Sequence, residues 1–309
     1  MGAFQAPKEW GPLLTAMVTP FKADGSVDYA EVEKIAAFLV DEQKNTGIVV
    51  AGTTGESPSM SDSEKCELLR VTLNAVKDRA AVVFGAGTYD TNHSIHLTAA
   101  ATEMGAHGVM LVSPYYNKPS QEALYEHFKT IANTTDLPVM LYNIQGRTAV
   151  NIETPTLLKL AETVPNICAV KEASGNLAQA AEVGAAMPEG FRMYSGDDIL
   201  TLPVLAAGGI GVVSVAGHVI GKPIYEMMNT FFRNPIDAIN QGKKMVPLIK
   251  ALFCTSNPIP VKYALSLLGF NTTQYRMPMI QPSDAQKKLV ESAMREFGIP
   301  FEVRAAVMS

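Results

Sequence analysis

Hydrophobic and polar positions follow the same two-part pattern eight times along the chain. Each unit has a short apolar run rich in β-branched residues, then a turn of Gly, Ser or Thr, and then a longer stretch with apolar residues at helical spacing. The apolar runs begin at Leu13, Thr46, Ala81, Gly108, Pro138, Ile167, Phe191 and Gly209. Strands that alternate with helices predict parallel pairing through right-handed crossovers.

Eight such units predict a closed (β/α)8 barrel, the TIM-barrel fold of the α/β class, which typically takes about 250 residues. The eighth helix ends near Phe232, and two later stretches, "IDAINQGKKMVPLIKALF" and "SDAQKKLVESAMREFG", are also helical by pattern. We therefore expect a catalytic barrel over residues 1–234 and a C-terminal helical region, the annex, over residues 235–309. A doubly wound open sheet is the alternative architecture, but eight regular units favour closure.

Composition narrows the classes of partner. The chain has 309 residues, 47% of them hydrophobic and 18% charged, which is typical of a globular protein with a large core. Its formal net charge is -5 and it has no basic cluster, so we expect small-molecule ligands and neither a nucleic-acid nor a membrane partner. With no signal-peptide pattern and no apolar run of about 20 residues, a cytoplasmic location is expected.

The three cysteines are dispersed and odd in number. Cys66, Cys168 and Cys254 form no CxxC pair, so they predict neither a disulfide framework nor a structural zinc site. His93 and His96 share a helix face, but a third ligand is missing, and a solvent-facing pair is the more ordinary interpretation.

Polar and aromatic residues follow several of the predicted strands, at the end where TIM barrels place their active sites. They are Thr53, Thr54, Tyr115, Tyr116, Tyr142, Lys171, Asp197 and Asp198. Period-two alternation puts Met140 with Tyr142 on one face, and Ile167 with Ala169 and Lys171 on one face of the next strand. If both faces point inward, a lysine and a phenol meet at the barrel mouth.

A lysine in an apolar mouth has its pKa lowered by desolvation, so that free amine is available to form a Schiff base with a carbonyl. A neighbouring tyrosine can transfer the protons that this chemistry needs, and the planar donor fork of Arg147 suits a carboxylate. The ordinary alternatives are a solvent-exposed strand terminator for Lys171, a surface charge for Arg147 and helix caps for Asp197 and Asp198.

The glycine-rich turn "AGTTGES" lacks the lysine and the spacing of a phosphate-binding loop. Its backbone N–H groups can nevertheless hold a carboxylate, and its two adjacent hydroxyls can transfer protons. A plain strand-to-helix turn is the alternative.

Seven motifs occur together in order: "GTTGES", "SPYYNKPSQEALYEHF", "LYNIQGRT", "AVKEASGN", "YSGDD", "GVVSVAG" and "NPIPVKYAL". As a set they resemble the dihydrodipicolinate synthase family of the pyruvate-dependent class I aldolases, over nearly the whole chain. The resemblance implies a lyase that condenses pyruvate with L-aspartate 4-semialdehyde in lysine and diaminopimelate biosynthesis. It implies a Schiff base on the protein and no metal or organic cofactor.

The resemblance also assigns roles to residues. It makes Lys171 the Schiff-base lysine, Thr53 the binder of the pyruvate carboxylate and Arg147 the binder of the semialdehyde carboxylate. Thr54, Tyr142 and Tyr116 match the family's proton relay, in which the tyrosine matching Tyr116 reaches in from a neighbouring subunit of a homotetramer built from two tight dimers. Gly196 and Val213 match positions that line the pocket.

Two departures from the family stand out. Gln145 replaces the usual proline two residues before Arg147, which frees the backbone of that loop. Lysine-inhibited members carry Asn and Glu at the positions matching Thr91 and Ile95 and His at the position of Lys65. With no carboxylate there and an ammonium gained, we expect little or no inhibition by lysine.

Two other functions share part of this pattern. N-acetylneuraminate lyase and the 2-keto-3-deoxy sugar acid aldolases of the same superfamily have the lysine and the tyrosine, but they use polyhydroxylated substrates. A non-catalytic barrel that binds pyruvate-like ligands is the remaining alternative, although the presence of Lys171, Tyr142, Tyr116 and Thr54 together argues against it.

Overall fold

Eight parallel strands close into a barrel in the computed structural model, which describes residues 10–301. Each strand pairs with the next one in the chain, and the eighth pairs with the first. The strands are β1 Leu13–Ala16, β2 Gly47–Val50, β3 Ala81–Gly85, β4 Gly108–Val112, β5 Val139–Asn143, β6 Ile167–Glu172, β7 Arg192–Ser195 and β8 Gly211–Ser214. The predicted TIM barrel is confirmed, and the open doubly wound sheet is wrong.

Helices return the chain between successive strands and continue after the last one. They are α1 Tyr29–Asp41, α2 Asp62–Val76, α3 Thr91–Glu103, α4 Gln121–Ala132, α5 Gln145–Thr148, α6 Thr154–Thr163, α7 Leu177–Ala186, α8 Thr201–Ala206, α9 Gly217–Phe231, α10 Pro235–Leu252, α11 Ile259–Leu267 and α12 Asp284–Phe297. Between residues 10 and 301, no helix is both long enough and apolar enough to cross a membrane.

Polar side chains cap the N-termini of the first two helices. The Asp28 carboxylate accepts from the backbone N–H of Glu31 and begins α1. Ser61 begins α2 in a capping box with Glu64, in which each side chain bonds the backbone of the other residue. Short polar side chains favour a helix start at these positions because they accept hydrogen bonds from N–H groups that the first helical turn leaves unpaired.

The barrel interior and the layer under the helices form separate apolar clusters. Tyr142 and Met140 lie in the interior cluster, as alternation along β5 predicts. In β6 the interior cluster takes Cys168 and Ala169, whereas Ile167 packs in the outer layer. The prediction that Ile167 shares a face with Lys171 is wrong, because the register between β5 and β6 is irregular here and skips Cys168.

The annex packs against the barrel and is tied to its loops by buried polar contacts. Lys262 in α11 is fully buried, and its Nζ donates to Glu56 Oε1 at 2.7 Å and to the Thr19 carbonyl at 3.0 Å. The expected boundary between residues 234 and 235 falls between α9 and α10, and the division into two domains stays a prediction. Its parts over residues 1–9 and 302–309 lie outside the described residues.

Candidate active site

Lys171 and Tyr142 meet at the carboxyl ends of β6 and β5. They are register partners across the two strands. The Nζ of Lys171 lies 4.0 Å from the centre of the Tyr142 ring, and both side chains are buried, with exposed fractions of 5% and 4%. The structure thus brings together the two residues that the sequence pattern placed at the barrel mouth.

Burial shifts the acid–base behaviour of this lysine. Desolvation lowers the pKa of Lys171 to about 7, while the negative charge of Asp198 raises it and the positive charge of Arg147 lowers it further. Far more of the Lys171 side chain is therefore free amine at neutral pH than in an exposed lysine, which is almost entirely protonated there. Lys171 can therefore supply the uncharged amine that nucleophilic attack on a carbonyl requires.

Asp198 is the buried carboxylate behind this lysine. It accepts hydrogen bonds from the Ser214 hydroxyl and from the backbone N–H groups of Val215 and Ala216, at 2.9 and 3.1 Å for the two amides. Burial raises the pKa of Asp198, and these three donors oppose that shift. Asp197 is a helix cap as expected, since it accepts from the Ile199 N–H. Asp198 is instead a buried carboxylate whose charge acts on Lys171.

The two adjacent threonines of the turn have different hydrogen-bond partners. Burial raises the pKa of Tyr142 to about 12, while the charge of Arg147 and a hydrogen bond with the Thr53 side chain act in the opposite direction. The hydroxyl of Thr54 instead accepts from Nδ2 of Asn257, at 2.8 Å. The assignment of Thr54 to the proton relay with Tyr142, expected from the resemblance, stays a prediction.

A cavity of about 200 Å³ opens from the barrel mouth beside Tyr142. Thr53, Tyr142 and Arg147 line it, together with the largely apolar side chains of Met110, Val112, Tyr115 and Ile144. Val213 is 1% exposed and belongs to the barrel interior with Tyr142. An apolar wall with a few convergent polar groups is the usual form of a small-molecule site.

Of the four predicted catalytic residues, Tyr142 lines this cavity and Lys171 lies beside its ring, whereas Thr54 and Tyr116 are not among the lining residues. Tyr116 points away from the barrel mouth. Its side chain is 92% exposed, and its backbone φ of 74° lies in the left-handed region that is unfavourable for a tyrosine. Tyr115, its chain neighbour, lines the cavity and packs edge-on against Tyr89 with ring centres 5.2 Å apart.

Asn143 and Glu172 form a polar pair next to Tyr142 and Lys171 along the two strands. Asn143 and Glu172 follow Tyr142 and Lys171 in their strands, and Asn143 Nδ2 donates to Glu172 Oε2 at 3.0 Å. The other Glu172 oxygen accepts from the Ser174 N–H at 2.7 Å. The motifs do not predict this pair, although the sequence shows a second polar residue directly after both Tyr142 and Lys171.

Gly196, after β7, provides space for the lysine side chain. A Cβ atom added at Gly196 would lie 3.0 Å from Lys171 Cγ and 2.5 Å from Ala173 Cβ, closer than ordinary contacts allow. We expect Gly196→Ala to lower kcat/KM for pyruvate about tenfold, because a small displacement of a reacting group is costly. Gly146→Ala is the matched control, since its Cβ would meet nothing within 4 Å. Steady-state kinetics of the two variants measure the effect, and equal rates would contradict it.

The histidine pair and the expected effector positions lie away from the cavity. Asp62 contacts both His93 Nε2, at 2.8 Å, and Lys65 Nζ, at 3.2 Å, while the Thr91 hydroxyl contacts His127 Nδ1. In the described part of the chain, no cluster of three or more His, Cys, Asp or Glu residues could hold a metal ion. The Lys65 ammonium is paired with Asp62, and the expected weak inhibition by lysine stays a prediction.

Comparison with known proteins gives one consistent result. A sequence model described as the dihydrodipicolinate synthetase family matches residues 9–297. The 4-hydroxy-tetrahydrodipicolinate synthase of Desulforamulus reducens is 48% identical, and the match covers 93% of this chain and 97% of that protein. A dihydrodipicolinate synthase of Cyanidioschyzon merolae, solved with lysine bound, has a TM-score of 0.92 and 45% identity over 94% of this chain and 99% of its own.

A chloride-inhibited dihydrodipicolinate synthase of Acinetobacter baumannii, solved as a complex with pyruvate, is similar at lower identity. It has a TM-score of 0.91 and 34% identity, with coverage of 94% of this chain and 100% of its own. Similarity in sequence and in fold therefore extends over the barrel and the annex alike.

Proposed function

The chain belongs to the dihydrodipicolinate synthetase family, and we propose that it condenses pyruvate with L-aspartate 4-semialdehyde to give 4-hydroxy-tetrahydrodipicolinate. It is a lyase of the class I aldolase type, active in lysine and diaminopimelate biosynthesis. The observation that carries the mechanism is the buried Lys171 amine 4.0 Å from the Tyr142 ring at the carboxyl end of a closed barrel.

The first step joins pyruvate to the protein. The free amine of Lys171 attacks the keto carbon of pyruvate, and the resulting carbinolamine loses water to form an iminium. Tyr142 donates the proton that the departing hydroxyl needs, since its high pKa keeps the phenol protonated at neutral pH. The new positive charge lies near the Asp198 carboxylate, which favours it.

The second step makes the carbon–carbon bond. Loss of a proton from the pyruvate methyl group turns the iminium into an enamine, and the enamine carbon attacks the aldehyde of the second substrate. Arg147 binds the carboxylate of that substrate at the outer end of the cavity. The amino group of the semialdehyde then attacks the iminium carbon, closes the ring and releases Lys171 as free amine.

Thr53 and Thr54 have separate roles, one in proton transfer and the other in binding the pyruvate carboxylate. The hydrogen bond between Thr53 and Tyr142 supports Thr53 as the relay residue that carries protons to and from the phenol. Thr54, with the backbone N–H groups of the turn, then holds the pyruvate carboxylate, in the reverse of the roles expected from the sequence. The closeness of Gly196 to Lys171, and the place of Val213 beside Tyr142 in the barrel interior, support these two as pocket residues.

We further propose a homotetramer in which Tyr116 of one subunit completes the relay of its neighbour. The 92% exposure and left-handed backbone of Tyr116 support this role, because an aromatic side chain held out from the surface is suited to a partner's site. The chemistry needs no metal or organic cofactor, since the iminium itself takes up the electrons. A cytoplasmic location fits the free thiols of Cys66, Cys168 and Cys254.

Condensation measured against sugar-acid cleavage tests the proposed function. We expect coupled turnover with dihydrodipicolinate reductase to exceed the cleavage of N-acetylneuraminate or 2-keto-3-deoxygluconate about a hundredfold or more, since Arg147 suits a carboxylate and the apolar wall offers few partners for hydroxyls. Faster cleavage of a sugar acid would assign the protein to the aldolases. Absence of any borohydride-trapped pyruvate adduct would leave the non-catalytic barrel.

A further inference from the structure

The annex reaches the threonine turn, residues 53–56, with two buried side chains. Asn257, in the segment between α10 and α11, donates from Nδ2 to the Thr54 hydroxyl at 2.8 Å. Lys262, in α11, donates to Glu56 Oε1 at 2.7 Å. Asn257 and Lys262 are 6% and 0% exposed, so water does not compete for either contact. One short turn of the barrel mouth is thus held from a region that lies outside the barrel.

The turn needs such support because its backbone is strained. Ala51 and Glu56 flank the two threonines with φ values of 54° and 55°, in the left-handed region that non-glycine residues rarely adopt. Conformations of this kind persist only where surrounding contacts fix them. Besides Lys262, the Thr19 hydroxyl holds the turn through a hydrogen bond to the Gly55 carbonyl at 2.7 Å.

The Asn257 contact also sets the direction of the Thr54 hydroxyl. An oxygen that accepts from an amide must point its own hydrogen elsewhere. Within residues 10–301, the Thr54 hydroxyl has no second side-chain or backbone partner, so its proton is free for a ligand. The opposite amide orientation would make the hydroxyl donate to Asn257 and leave only lone pairs to face an anion.

The other end of the Asn257 amide is unusual. Its Oδ1 is buried and has no hydrogen-bond partner among the described residues. Among the described residues, the contact with Thr54 is thus the one hydrogen bond that the Asn257 side chain makes. Such an arrangement is expected where a side chain serves a site rather than the packing around it.

We propose that Asn257 is a positioning residue that fixes the Thr54 hydroxyl as a hydrogen-bond donor to the carboxylate of pyruvate, so that the annex sets pyruvate affinity. The inference rests on the proposed function, because it takes pyruvate as the ligand of the turn. It distinguishes the two substrates, because the semialdehyde carboxylate is proposed to bind at Arg147 in the cavity lining, whereas Asn257 is not a lining residue and bonds Thr54.

A double-mutant cycle tests this role. The variants are Asn257→Ala, Asn257→Asp, Thr54→Val and the double variant Asn257→Ala with Thr54→Val. Asn271→Ala is the matched control, since Asn271 is an annex amide whose side chain donates to Asp28 at 3.3 Å, away from the turn. For each variant, borohydride trapping gives the half-saturating pyruvate concentration, and steady-state kinetics give kcat and both KM values.

Asn257→Ala is expected to raise the half-saturating pyruvate concentration about tenfold, with kcat and the KM for the semialdehyde within about threefold of wild type. Asn257→Asp keeps the shape of the side chain, but its carboxylate accepts the Thr54 proton and repels the carboxylate of pyruvate. We therefore expect it to raise the half-saturating pyruvate concentration about a hundredfold. In the Thr54→Val background the Asn257→Ala change should have little further effect, because the hydroxyl that it orients is gone.

Several results would overturn the inference. They are an unchanged pyruvate half-saturation in Asn257→Asp, equal changes in both KM values, effects that simply add in the cycle, or an equal effect of Asn271→Ala. If Asn257→Ala does not fold, the isosteric Asn257→Asp and the Thr54→Val variant decide the matter. If the wild-type protein traps pyruvate and these variants have the same half-saturating concentration, the inference alone is contradicted. If the wild-type protein traps no pyruvate, the proposed function is contradicted as well.

Discussion

Replacing Lys171 with alanine is expected to lower the rate of condensation about ten-thousandfold or more and to abolish trapping of pyruvate by borohydride. The substitution removes the amine that forms the iminium, and no step after it can proceed on the protein. Because the ammonium form of Lys171 is costly to bury, the variant should fold at least as stably as wild type. The coupled reductase assay measures the rate, and intact-mass analysis measures the adduct.

Lys129→Ala is the control for this experiment. Lys129 lies on the outer surface of α4, where its side chain is 40% exposed and 4.0 Å from Glu126. It should trap pyruvate and turn over as wild type does. Turnover by Lys171→Ala within tenfold of wild type would contradict the Schiff-base mechanism.

The pH dependence of trapping follows from the same amine. With the pKa of Lys171 lowered to about 7 by burial, the protonated form dominates below that pH and has no lone pair for attack. The initial rate of adduct formation with cyanoborohydride should therefore rise as the pH increases through about 7 and then level off. A rate that continues to rise toward pH 10 would mean that the lysine has its ordinary pKa.

Tyr142→Phe is expected to lower kcat about a thousandfold, within the range that a positioned proton donor contributes. The variant keeps the ring that packs beside the Lys171 ammonium and loses only the hydroxyl that Thr53 contacts. Pyruvate should still be trapped on Lys171, but more slowly, because dehydration of the carbinolamine lacks its acid. Single-turnover trapping and steady-state rates together separate these effects.

Tyr194→Phe provides the matched control. Tyr194 is another buried tyrosine of the barrel interior, and its hydroxyl donates to the Gly11 carbonyl at 3.0 Å, away from the cavity. Loss of the Tyr194 hydroxyl should change the free energy of unfolding only slightly and leave kcat within about threefold of wild type. A Tyr142→Phe enzyme as active as Tyr194→Phe would exclude the phenol as the proton donor.

The sequence pattern alone was sufficient for the barrel. Eight alternations of apolar run and amphipathic stretch specify eight strands and their crossover helices, because side-chain period and connection handedness are local properties of the chain. They also place Lys171 and Tyr142 at strand ends, and those two residues are register partners at the barrel mouth. The N-caps at Asp28 and Ser61 are local in the same sense, since each side chain bonds a backbone N–H three residues further along the chain.

What the pattern missed depends on contacts between distant parts of the chain. Asn257 and Thr54 are 203 positions apart, and the irregular pairing of β5 and β6 depends on how two strands meet. Likewise, Asp198 accepts from Ser214 at the end of β8 and from the two amides that follow that strand, all at least 16 positions away in the chain. Burial of this kind sets pKa values and hydroxyl directions, and it exists only once the chain has folded.

The amino-acid sequence by itself thus determined the fold class, the strand ends and the residue types available for Schiff-base chemistry. The tertiary structure decided which threonine faces Tyr142, which carboxylate lies behind Lys171 and which annex residue orients Thr54. The physical reason is the same in each case: side-chain periodicity is encoded locally, whereas hydrogen-bond partners and desolvation depend on the packing of segments far apart in the chain.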